Sequence, residues 1–267
     1  MFCAAAFSAH AQTTFRYKST AGEKLKYRMM IADSTSAMGQ DGATSFNAVL
    51  DLNTEKVYND SMTVTAVIET LTAKVNNPMM GMGDTTITPT ALFGKRTRQT
   101  LTPTGKVLSS NVVDTPDVSD PVVRYFAQHS SDLMQPWIEL GATPVKKGDT
   151  WRILDIDSND AGGKGMIYDT TTVVCSYQRN SDTLHHSCAV ITYTVKIIMA
   201  GNLTSQSGQI ELDGDGTGSG TAYWDADKGR LIANNGKTNV TQNLTLTSMQ
   251  QTITQTLSKT QNTTIIE

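Results

Sequence analysis

Residues 189–199 read Ala-Val-Ile-Thr-Tyr-Thr-Val-Lys-Ile-Ile-Met, and Ala189, Ile191, Tyr193, Val195, Ile197 and Met199 share one parity. Successive side chains of an extended chain point to opposite faces, so this spacing predicts a long strand with one face on a core. The same period of two recurs in Phe46, Ala48, Leu50 and Leu52, which alternate with Asn47, Val49, Asp51 and Asn53. It recurs again in Met62, Val64, Ala66 and Ile68, after which the apolar phase shifts to Leu71, Ala73 and Val75. That shift predicts a β-bulge near Glu69-Thr70. Abundant threonine fits the pattern, because a β-branched side chain is stiff at χ1 and suits a pleated surface.

Working outward, three anchors of the first half recur in order in the second. Gly22-Glu23-Lys24-Leu25 matches Gly148-Asp149-Thr150-Trp151, Ala66-Val67-Ile68-Glu69-Thr70 matches Ala189-Val190-Ile191-Thr192-Tyr193, and Thr104-Gly105-Lys106-Val107-Leu108 matches Lys228-Gly229-Arg230-Leu231-Ile232, at offsets of 126, 123 and 124 residues. Nearly constant spacing predicts two similar units of about 120 residues. We therefore expect a mainly β protein of long antiparallel, strongly curved sheets in two similar units. A closed barrel, a half-barrel and two packed subdomains are all open. Glycine at 214, 216, 218 and 220 strips one face of a strand, which suits close backbone approach or a sharply coiled sheet.

One helix is expected between the units. Ser119-Asp120-Pro121 supplies an N-cap and an N1 proline, Val122, Val123, Phe126, Leu133 and Met134 follow at helical spacing, and Pro136 stops it. The expected organisation is a signal-peptide remnant at 1–11, a first β unit at 12–118, a connector with the helix at 119–146, and a second β unit at 147–267. The remnant is read from the apolar run 1–7 and the A-x-A site Ala9-His10-Ala11 before Gln12. It places the protein in the periplasm or at the cell surface, secreted.

The chain has 267 residues, a net charge of −3, and 38% hydrophobic, 6% aromatic and 18% charged residues. Its length allows one large domain or two small ones, with a sizeable core. The slight acidity, without a run of Lys and Arg, argues against nucleic-acid partners. No window reaches the roughly 18–20 apolar residues of a spanning helix, so no transmembrane helix is expected. Few aromatics argue against a membrane β-barrel with its girdles.

Beyond the leader, Cys175 and Cys188 lie symmetrically about the turn-like cluster Arg179-Asn180-Ser181-Asp182. A hairpin folded at that centre would face the two sulfurs, making them a disulfide candidate; two buried free thiols are the alternative. The methionines of Met79-Met80-Gly81-Met82 are soft thioethers that suit Cu(I), or a flexible apolar loop. For catalysis the signals are poor. There is no G-x-S-x-G elbow around Ser219, and His129, His185 and His186 have no distinctive partner. No catalytic residue and no cofactor is expected, and the reading leans away from an enzyme.

Phe15-Arg16-Tyr17, Gly22-Glu23-Lys24-Leu25-Lys26-Tyr27, Pro144-Val145-Lys146-Lys147-Gly148-Asp149-Thr150-Trp151, Gly220, Trp224-Asp225 and Gly229-Arg230-Leu231 together resemble a family of exported bacterial proteins of unknown function. The resemblance implies a periplasmic or cell-surface β protein, often lipoprotein-anchored, although Met-Phe before Cys3 makes no lipobox. The expected function is a non-enzymatic envelope protein, binding a lipid or other apolar or amphipathic ligand in a concave sheet. The alternative is a structural or interaction module that contacts other envelope proteins and has no ligand cavity.

Overall fold

The computed structural model describes residues 12–78, 82–116, 134–160, 164–205 and 208–266. Twelve strands form one antiparallel sheet: β1 (Lys24–Ala37), β2 (Gln40–Val57), β3 (Met62–Asn77), β4 (Met82–Ile87), β5 (Arg96–Leu101), β6 (Val107–Val112), β7 (Thr150–Asp160), β8 (Gly165–Thr183), β9 (His186–Ser205), β10 (Gly208–Asp225), β11 (Arg230–Leu246) and β12 (Gln251–Ile266). The order across the sheet is β6-β5-β3-β2-β1-β12-β11-β10-β9-β8-β7, and β4 pairs with the far end of β3. The sheet is continuous through the β1–β12 pair, so the two-subdomain alternative is set aside, and it is open, with β6 and β7 at its edges.

The expected helix covers residues 119–136, most of which lie outside the described residues; among the described residues there is no α-helix, and 3-10 geometry occurs at Pro78 and Thr90–Leu92. The leader at 1–11 also lies outside them.

A single sheet can bury a face only by curling upon itself, and here the edges approach each other, with Lys106 Nζ 3.9 Å from Asp155 Oδ1. Two irregular segments fill the seam. Thr13 bridges to Val145, Tyr17 N–H donates to the Pro103 carbonyl, Lys18 N–H to that of Gly229, and Leu140 N–H to that of Thr104. Their aromatic side chains pack edge to face: Phe15 on Tyr177 at 5.3 Å, and Tyr17 on Trp137 at 5.5 Å and on Trp224 at 4.7 Å. Phe15 also touches Trp151 at 6.2 Å. Trp137 and Trp224 therefore both pack on Tyr17, while Trp151 packs on Phe15. Trp224, Tyr27, Met29, Leu50 and Ile191 are fully buried in the continuous core beneath this seam. Rings of this size carry much of a core's buried area, and each edge-to-face pair adds about 0.5–1.5 kcal/mol.

Equivalent hydrogen bonds and irregularities recur in the two halves. Before β1, Glu23 caps the Thr20 N–H, Gly22 N–H donates to the Thr54 carbonyl, and Thr54 N–H donates to that of Glu23. Before β7, Asp149 caps the Lys146 N–H, Gly148 N–H donates to the Tyr177 carbonyl, and Tyr177 N–H donates to that of Asp149. Immediately after Thr54 and Tyr177, Glu55 and Gln178 are each the extra residue of a bulge. Each reaches a threonine of the next strand, Thr65 or Thr192. The bulge expected near Glu69-Thr70 is present, Glu69 being the unpaired residue between Ile68 and Thr70.

The hairpin carrying the cysteines turns three residues later than expected. Leu184 and His185 take positive φ at its tip, Thr183 pairs with His186, Ser181 faces Cys188 and Cys175 faces Tyr193. Both cysteines are free and buried, which corrects the disulfide expectation. The residues centred on Ser181-Asp182 continue the strand because their pairing partners on β9 extend the ladder beyond the bulge at Gln178. His186, just beyond the hairpin tip, is buried and has a partner. It is 4% exposed, with Nδ1 2.9 Å from Asp225 Oδ2. Asp225 Oδ1 accepts the N–H groups of Asp227 and Lys228, closing the Asp225–Gly229 turn.

Gly105 has a φ of +87°, and a Cβ there would lie 2.5 Å from the Ile138 carbonyl oxygen. Gly39 also has a positive φ, but a Cβ there would meet open space. Gly105→Ala should therefore cost about 2 kcal/mol or more, against about 1 kcal/mol for Gly39→Ala, as read by urea denaturation. Equal losses would contradict the seam as a determinant of stability.

Candidate functional site: an apolar trough on the concave face

The inward-facing side chains of β7 to β11 form rows set by register. Trp151, Cys175, Tyr193, Gly220 and Gly236 make one row, and Ile153, Val173, Val195, Gly218 and Thr238 the next. Asp155, Thr171, Ile197, Gly216 and Val240 follow, then Asp157, Asp169, Met199, Gly214 and Gln242. Rows lie about 7 Å apart along the strands. The glycine stripe leaves β10 without side chains on this face, so its neighbours close over it. A Cβ on Gly216 would lie 2.7 Å from Val240 Cγ2, and one on Gly220 would overlap the Tyr193 hydroxyl. Tyr193 spans Gly220 and Gly236, and its hydroxyl donates to Asn234 Oδ1 at 2.9 Å.

Between β7–β10 and the linker lies a cavity of about 270 Å³. Ile138, Leu140, Ile153, Val173, Ile191, Val195 and Ala222 supply its apolar walls, with Glu139, Asp155, Thr171, Cys175 and Tyr193 as the polar members. A mostly apolar concavity with a few convergent polar groups is the usual form of a small-molecule site. Wider surface depressions exist, such as that lined by Ala32, Asp33, Thr44, Lys74 and Ser258, but they are more polar in lining.

The trough's titratable groups are set by burial. The Cys175 thiol is pushed up to about 12, first by burial and then by nearby Glu139. Burial also raises Glu139; Lys106 opposes that shift, and Asp155 adds to it. Asp169 is raised by burial and then by Asp157, directly opposite it, and Asp155. Tyr193 is raised by burial against the lowering hydrogen bond to Asn234. A thiol so protonated is a poor nucleophile.

Of the expected site residues, Cys175 lies in the trough and Cys188 does not. Met79 and Met80, and the side chain of Met82, lie outside the described residues. Among the described residues no group of three or more His, Cys, Asp or Glu gathers in a metal-binding arrangement. The linker residues Ile138 to Leu140 and the acidic side chains of β7 and β8 went unread in the sequence. The D-x-D spacing of Asp155 and Asp157, continuing the parity of Trp151 and Ile153, is the signal that points to them.

No family model matches the chain, and no curated protein matches it. Among solved structures the chain is similar to an outer membrane channel from Pseudomonas putida F1, at 8% identity over 94% of this chain and 98% of that one, with a TM-score of 0.25. It is also similar to a proposed exported protein with YmcC-like fold from Bacteroides fragilis, at 11% identity over 95% and 100% of the two chains, with a TM-score of 0.23. OmpF of Salmonella typhi in complex with daunomycin aligns at 8% identity over 91% and 98%, with a TM-score of 0.25. Scores this low bear on neither fold nor function.

Burial raises Cys188 as well, to about 11, with Asp225 and Asp182 adding to the shift. A thiol-specific disulfide reagent at pH 8 should therefore leave Cys175 and Cys188 unmodified in the native protein and titrate both once it is unfolded without reductant. A titration that finds neither of these two thiols would restore the disulfide.

Proposed function

We propose that the chain is an exported envelope protein that holds an apolar or amphipathic ligand in its curled sheet and catalyses no reaction. The observation that carries this reading is the trough. An apolar cavity on a concave face, walled by Ile153, Val173, Val195 and the linker residues Ile138 and Leu140, is a place for hydrocarbon. Export is supported by the leader-like start of the sequence. The outward face supports a strand surface in water, because Lys196 on β9, Glu211, Asp213 and Asp215 on β10 and Lys237 on β11 are exposed there. A basic side chain turned toward mid-bilayer hydrocarbon would cost about 2–4 kcal/mol. No described helix is long and apolar enough to cross a membrane.

The two halves are, on the same proposal, copies of one unit. The paired Gly turns, the bulges at Glu55 and Gln178 and their threonine partners support it. So does the strand order, since β6-β5-β3-β2-β1 and β11-β10-β9-β8-β7 run in the same sense, with β12 between them.

The interaction-module reading has one observation in its favour. Leu154 and Ile156 of edge strand β7 stand on the outer face with Tyr168 of β8 and Ile198 of β9, Ile156 being 68% exposed.

Native mass spectrometry of protein made in an exporting host distinguishes the two. Retained lipid, lost in Val195→Trp, supports the ligand-binding reading, because an indole at that position fills the trough. A ligand-free protein that takes up no added fatty alcohol overturns it.

A further inference from the structure

The trough is not evenly apolar. Glu139 and Asp155 line the cavity, and one register row further along the same face Asp157 stands directly opposite Asp169. Like charges set opposite each other across a strand pair destabilise a sheet unless something compensates them. Among the described residues the compensation is slight. Lys106 reaches Asp155 at 3.9 Å, with both side chains about half exposed. The next inward cation, Lys259, is on β12, opposite Asp33 in the β1–β12 register. The carboxylates do not form a metal-binding group. At the cavity's inner end the Cys175 thiol, 4% exposed, faces the same space and makes no hydrogen bond among the described residues. The concavity is thus apolar around Val173 and Val195 and anionic toward Asp157 and Asp169.

We propose that the trough takes an amphipathic cation, with its hydrocarbon chain against Ile153, Val173 and Val195 and its ammonium head among Glu139, Asp155, Asp157 and Asp169. This rests on the reading of the trough as a ligand site and specifies its chemistry. The head supplies a positive charge that no described residue places opposite the Asp157–Asp169 pair, and the chain replaces water over the valines and isoleucines. An anionic amphiphile of the same length meets four carboxylates instead of one counter-charge. The shared chemistry is an ammonium on an alkyl chain, whether from a free alkylamine or from an aminophospholipid.

Isothermal titration of the full chain with decylammonium, decanol and decanoate tests it. Decylammonium should bind about tenfold more tightly than decanol, and decanoate more weakly than either, with the advantage shrinking in high salt. The double variant Glu139→Gln/Asp155→Asn, and separately Asp157→Asn/Asp169→Asn, should each reduce the ratio of decylammonium to decanol affinity. Lysophosphatidylethanolamine binding as tightly as decylammonium assigns the head to a zwitterionic lipid; weaker binding assigns it to a free amine. Equal affinities for decylammonium and decanol overturn the head-group assignment and leave the trough standing. Binding of none of the probes overturns both.

Discussion

A lone β-sheet has no second layer to pack against, and the rest of this structure follows from that constraint. The sheet must bend until its own faces meet, and bending needs places where side chains are absent or register is broken. Glycines 214, 216, 218 and 220 provide the first and the bulges at Glu55, Glu69 and Gln178 the second. Closure is then completed by side chains instead of by strand pairing. Phe15, Tyr17, Trp137 and Leu140 occupy the gap that a further strand would fill in a full barrel.

The seam also ties the halves together. The lead-in to β1 bonds to the β10–β11 turn through Lys18 and Gly229, while the linker before β7 bonds to the β5–β6 turn through Leu140 and Thr104. Each glycine turn therefore receives a hydrogen bond from a segment outside its own hairpin. Tyr27 adds another tie by donating to the Leu231 carbonyl at 2.8 Å. Cooperative folding of the whole sheet is the physical consequence, since neither half can bury Trp224 or Tyr17 alone.

The same curvature creates the chemistry of the concave side. Side chains that would be half-solvated on a flat sheet are brought toward the linker, so that Glu139 and Asp169 lose water and their carboxyls shift upward. The buried His186–Asp225 pair has a different role. Burial works against the Asp225 carboxylate, but the Lys228 N–H and His186 hold it below the usual range, and the group fixes a turn away from the trough.

Strand content, the inward parity of β2, β3 and β9, the bulge at Glu69 and the glycine face were legible in the sequence, because a period of two is a local property. The site was only partly so. Tyr193, Val195 and Cys175 were recognisable as inward or buried, but nothing local brings Ile138–Leu140 to them. The cysteine hairpin shows the limit: its polar centre looked like a turn, yet pairing with β9 and one bulge moved the tip to Leu184-His185 and carried Cys175 and Cys188 to different rows. Register, curvature and the closing of the seam depend on contacts between residues more than a hundred positions apart. Those contacts arise only when the whole sheet finds the one bend that buries its aromatic residues.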